Sequence, residues 1–106
     1  MSERAWDLSE ERREGALIVR ARGRFDAAAG DAVDALCGEG ACVLSLAAVD
    51  YLSSSGVAAL VKLVATRGVR LASPAPCVRD VLGLAGIERI ITIHPDEAQA
   101  LADAGA

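Results

Sequence analysis

A short, nearly continuous apolar run, Cys42-Val43-Leu44-Ser45-Leu46, is followed within a few residues by Ser53-Ser54-Ser55-Gly56. Apolar residues at helical spacing, Val57, Leu60, Val61 and Val64, come next. The run suits a central strand buried on both faces. A serine cluster ahead of a helical pattern suits a helix start, because serine oxygens satisfy the first unpaired N–H groups. A buried strand feeding a helix so directly commits the chain to layered α/β architecture.

The rest of the chain repeats the alternation. Trp6 and Leu8 alternate with polar neighbours, as on a short edge strand, and the run Glu10-Glu11-Arg12-Arg13-Glu14 ends at Gly15, where a turn is expected. Leu17, Val19 and Ala21 share one face of a second, half-buried strand. Arg20, Arg22 and Arg24 form a stripe on its other face, either solvated or a contact surface for an acidic partner. Asp26 caps a helix with Ala29, Val33 and Leu36 on its apolar side, ended by Gly38 and Gly40. The second helix closes at Gly68, and Val69–Ala72 reads as a strand. After a loop marked by Pro74 and Pro76, a third helix carries Val78, Val81, Leu82 and Ala85 and stops at Gly86. Ile90–Ile93 is the last predicted strand, and His94 sits at a strand–helix junction. Pro95, Asp96 and Glu97 open a C-terminal helix through Ala98 and Leu101, and Asp103–Ala106 should fray.

The order β-β-α-β-α-β-α-β-α predicts a single α/β domain over residues 1–106, with a core of about 5–102. It predicts a mixed, mostly parallel sheet of about five strands with about four helices. The expected core is Leu17, Val19, Val43, Leu44, Leu46, Leu60, Val64, Leu71, Val81 and Leu82.

Composition excludes several functions. A net charge of −4 gives no basic field for nucleic-acid phosphates. No apolar stretch approaches the roughly 20 residues of a membrane span. Met1-Ser2-Glu3-Arg4 has no apolar signal segment, so a cytoplasmic protein without membrane insertion is expected. Cys37, Cys42 and Cys77 form no Cys-x-x-Cys pair and are expected to be reduced thiols that bind no metal. His94 is the only histidine. Ser53-Ser54-Ser55-Gly56 is not the Gly-x-Ser-x-Gly elbow of a hydrolase, and no Gly-x-x-x-x-Gly-Lys-Ser/Thr loop is present. No catalytic residue, enzyme activity or cofactor is implied.

The serine cluster has two chemical uses. It can cap the helix, and an accessible hydroxyl there can also carry a phosphate, because the N-terminal end of a helix dipole is positive.

Four stretches resemble the STAS domain, as found in bacterial anti-sigma-factor antagonists. Gly23-Arg24-Phe25-Asp26 is similar to the family's Gly-x-Leu-Asp step between an early strand and the first helix. Val43–Leu52 resembles its central strand and following loop. Ser53-Ser54-Ser55-Gly56 is similar to its Asp-Ser-Ser/Thr-Gly phosphorylation motif, and Val78–Arg89 to its third helix and next turn. The resemblance implies Ser54 as phosphoacceptor and Ser55 as the neighbouring hydroxyl. It also implies a partner-binding surface of Asp26, Tyr51, Leu52, Ser53, Ser54 and Ser55. Asp26 could equally be only a helix cap. Ser53 and Ser45 stand where many members have Asp.

The implied function is that of an anti-sigma-factor antagonist. Such a module binds an anti-sigma-factor serine kinase when unphosphorylated, and a phosphatase resets it. The alternative is a STAS scaffold that docks without phosphorylation, for example a subunit of a lipid-transporting ABC transporter. A monomer is expected.

Overall fold

The structure, a computed structural model, describes residues 5–104. β1 (Trp6–Arg13) and β2 (Ala16–Phe25) form an antiparallel hairpin. Glu14 and Gly15 at its tip have φ of 53° and 82°. Two positive-φ residues give a turn whose twist matches that of the strands. The charged run Glu10–Arg13 is therefore strand, and its charges discourage other chains from adding to the sheet edge.

The chain continues through α1 (Ala27–Leu36), β3 (Cys42–Leu52), α2 (Ser54–Arg67), β4 (Arg70–Ala72) and α3 (Pro76–Leu84). A 3-10 turn (Ile87–Arg89), β5 (Ile93–His94) and α4 (Glu97–Ala104) complete it. The sheet order is β1-β2-β3-β4-β5, with β2 to β5 mutually parallel. The predicted element order and mixed sheet are those observed.

Each parallel strand is laid down on the same side of the last, so right-handed crossovers put α1, α2 and α3 on one face. Phe25, Val33, Leu44, Leu46, Leu60, Leu71, Val78 and Leu82 form the main core beneath them. α4 follows the last strand and folds back over the opposite face. A second, smaller core of Ile18, Val43, Ala72 and Ala100 lies there. The first half of β2 is thus buried on both faces, not half-buried as its alternation suggested.

Other expectations change in detail. Val64 and Val81 are only partly buried, because α2 points Leu60 and Leu63 inward and α3 points Val78 and Leu82. α1 ends at Leu36, with Cys37 already extended, so Gly38 and Gly40 lie in the loop beyond it. The predicted strand Ile90–Ile93 shrinks to Ile93–His94. The N–H groups of Ile90 and Ile91 donate to the Ile87 carbonyl in the 3-10 turn, so they cannot join the sheet. α4 starts at Glu97, after Pro95, and Asp96 Oδ1 accepts from Gln99 N at 2.8 Å. Asp103 is helical and pairs with Arg70 at 2.8 Å. The fraying expected for 105–106 lies outside the described residues, as does the segment Met1–Arg4.

The arginine stripe is largely answered from within. Arg20 donates to both Glu97 carboxylate oxygens at 2.9 Å and to Glu11 Oε1 at 2.9 Å. Arg22 faces Asp7 at 3.6 Å and Arg24 faces Asp26 at 3.2 Å. Hydrogen bonds from Arg20 hold the Glu97 carboxyl below its ordinary value of 4.5. Hydrogen bonds from Arg13 and then Arg20 do the same for Glu11. A carboxylate held low contributes stability that is full above its ordinary value and is lost as pH falls through the lower folded one. Glu97→Gln should therefore cost about 0.5–1 kcal/mol at neutral pH, since the pair is partly solvated. The loss should shrink on acidification below about pH 4, where the wild-type carboxylate is also neutralised. Thermal midpoints of both proteins between neutral pH and about pH 3 check this.

Candidate phosphorylation site and partner surface

The carboxyl ends of β2 and β3 lie side by side, with Arg24 opposite Tyr51 and Phe25 opposite Leu52. Each strand then turns directly into a helix. Asp26 caps α1, its Oδ1 accepting from Ala29 N at 3.1 Å. Ser53 caps α2, its Oγ accepting from Gly56 N at 3.0 Å. Ser53 N donates to the Phe25 carbonyl at 3.1 Å, so the two helix starts are fastened together.

The three serines divide their work. Ser53 Oγ also lies 3.4 Å from the Phe25 carbonyl. Ser55 Oγ accepts from Ala27 N at 3.2 Å, across to α1, and lies 3.0 Å from Ser53 Oγ. Ser54 is the first residue of α2 and is exposed, and its hydroxyl has no hydrogen-bond partner among the described residues. α2 begins there, two residues earlier than the apolar pattern from Gly56 suggests, because Ser53 supplies the cap.

Gly56 permits this arrangement. A Cβ at that position would overlap the Phe25 carbonyl oxygen and lie 2.9 Å from Leu52 Cδ1. The obstacle is largely backbone, so α2 would have to move away from β2. Gly56→Ala should cost about 1–3 kcal/mol. Denaturant unfolding measures the loss, and faster hydrogen exchange of the Ser53 amide, whose bond to the Phe25 carbonyl would be weakened, would locate it at the helix start.

The structure brings together most of the residues named from sequence. Asp26, Ser53, Ser54 and Ser55 line the paired helix starts. Tyr51 is 53% exposed beside them. Leu52 is the exception: it is 5% exposed and packs in the main core, so it supports this surface from below. β3 runs on to Leu52, beyond the apolar run Cys42–Leu46 read as the central strand, so the loop expected within Val43–Leu52 is strand. Arg24 was missed as a site residue. Its guanidinium sits 5.0 Å from the Tyr51 ring centroid and reaches Asp26 at 3.2 Å. The register that places Arg24 beside Tyr51 cannot be read from their separation in the chain.

Ser45, where many similar domains have Asp, is not near the acceptor. It lies seven positions before Leu52, roughly 20 Å along the strand. It is buried beneath α4, where its hydroxyl bonds Glu97. Ser53 is adjacent to the acceptor, and it caps α2 as an Asp would, without the charge.

No helix among the described residues is long and apolar enough to cross a membrane. A comparison with curated protein sequences finds no match. Solved structures with the same fold include an anti-sigma factor antagonist from Mycobacterium paratuberculosis, 23% identical, with a TM-score of 0.78 and 95% of each chain covered. They also include SpoIIAA, an anti-sigma factor antagonist, in its unphosphorylated form, 17% identical with a TM-score of 0.67, covering 90% of this chain and 93% of that one. The phosphorylated form of the Bacillus cell fate determinant SpoIIAA is 16% identical with a TM-score of 0.63, covering 92% and 98%. The STAS domain family model matches residues 7–100, so this chain belongs to the STAS domain family.

Proposed function

We propose that this chain is an anti-sigma-factor antagonist whose binding to an anti-sigma-factor serine kinase in the cytoplasm is controlled by phosphorylation of Ser54. The observation that carries this is the division of labour among the serines. Ser53 and Ser55 are engaged in helix capping, whereas the exposed Ser54 hydroxyl is unengaged among the described residues. As substrate, Ser54 Oγ would attack the γ-phosphorus of ATP held by the kinase. The bond to ADP breaks, and the hydroxyl proton passes to a base on the kinase. The solved forms of SpoIIAA, phosphorylated and unphosphorylated, share this fold and support such a cycle, with a phosphatase restoring the free serine.

Asp26 has both roles open to it: it caps α1 and presents a partly exposed carboxylate beside Ser55. Tyr51 and Arg24 supply an exposed aromatic face and a cation within the same surface.

The second reading is a STAS scaffold that is never phosphorylated, such as a transporter subunit. It is favoured by the absence of the Asp that many members carry at position 53. Incubation with a cognate anti-sigma-factor serine kinase and ATP separates the two. Transfer of one phosphate mapped to Ser54, and none to Ser54→Ala, is the expected result. No transfer to the folded wild-type chain would leave the scaffold.

A further inference from the structure

Cys37 and Cys42 lie at the opposite end of β3 from Ser54, and the proposed partner cycle does not use them. Cys37 caps the C-terminus of α1, and Cys42 is the first residue of β3. Their sulfurs are 3.5 Å apart, with both side chains buried. The residues between them, Gly38-Glu39-Gly40-Ala41, form a loop whose first three residues are exposed. A Cβ on Gly38 would meet nothing within 4 Å, and one on Gly40 only the Gly15 carbonyl at 3.6 Å, so the loop has room to shift. A recess of about 160 Å³, bordered by Arg12, Glu39 and Gly40, leads from solvent to Cys42.

We propose that Cys37 and Cys42 are an oxidation-sensitive dithiol site that closes to an intramolecular disulfide on reaction with hydrogen peroxide. The sulfurs need to approach from 3.5 Å to about 2 Å, a movement the open loop allows. Burial pushes the Cys42 thiol up to about 12, so it remains protonated at neutral pH. Cys37, 9% exposed against 2% for Cys42, is the more accessible of the two and is the attacking sulfur. Its thiolate attacks one peroxide oxygen, the O–O bond breaks, and the departing oxygen leaves as water after taking up a proton. Cys37 is then a sulfenic acid. The Cys42 sulfur attacks Cys37, expels hydroxide and gives up its proton, which makes a second water. Two thiols are oxidised to one disulfide and one peroxide is reduced to two waters.

The test uses the reduced full chain, treated with hydrogen peroxide and then with iodoacetamide. Trypsin leaves both cysteines in one peptide, residues 25–62. That peptide should be unalkylated and lighter by two hydrogens, and dithiothreitol should restore two alkylation sites. Cys77→Ser should give the same result, because Cys77 takes no part. Alkylation of both Cys37 and Cys42 after peroxide treatment would overturn the proposal. A link to Cys77 or between chains, or sulfinic acid without a link, would overturn it too.

Discussion

Leu60→Ala should lower the unfolding free energy by about 2–5 kcal/mol. Leu60 is fully buried and packs α2 onto the main core. Truncation removes its apolar contacts and leaves a cavity that the neighbouring strands can only partly fill. A domain of this size has only about 5–15 kcal/mol in total, so the variant should unfold at a visibly lower denaturant midpoint. The slope of the transition should not change, since the folded state exposes no more surface. Leu84→Ala is the matched control: Leu84 is 91% exposed, and its loss should stay within about 0.5 kcal/mol. Equal stability of Leu60→Ala and wild type would mean that α2 turns a different face to the sheet.

The architecture could be read from the sequence because its signals are local. Apolar runs, capping residues and closing glycines gave each element and its order. What stayed hidden depends on pairing across the sheet. In β3 the inward residues Leu46, Val49 and Leu52 are three apart, because register irregularities opposite Arg20–Arg22 and Gly23–Arg24 interrupt the alternation. That spacing hid the second half of the strand and made Leu52 look like a loop residue. Ile18 showed no helix above it, because the helix that covers it arrives from the far end of the chain. The serine motif was legible, but the roles within it were not. Only the approach of α2 to the end of β2 shows that Ser53 and Ser55 are occupied, while the Ser54 hydroxyl has no partner among the described residues.

Ser54→Asp should weaken binding to the proposed partner kinase by about a hundredfold or more, equivalent to ~2.7 kcal/mol. Phosphoserine itself carries roughly −1.5 to −2 charges at neutral pH, so its effect should be larger. The cause lies in the interface. At the first position of α2 a negative group meets the positive end of the helix dipole, a favourable effect of about 0.3–1 kcal/mol. Folding is therefore preserved, and circular dichroism and thermal midpoint should match wild type. In the complex the same charge must be desolvated against a packed surface, and that cost appears as lost affinity. Ser54→Ala, which keeps the surface neutral, should bind at least as well as wild type and resist release by ATP.

The most direct measurement is a calorimetric titration of the kinase with two forms of this chain, one unmodified and one phosphorylated on Ser54. Tight binding by the unmodified chain and a hundredfold or greater loss for the phosphorylated one, with both forms equally folded, is the predicted result. Equal affinity of the two forms for the kinase would contradict the switch.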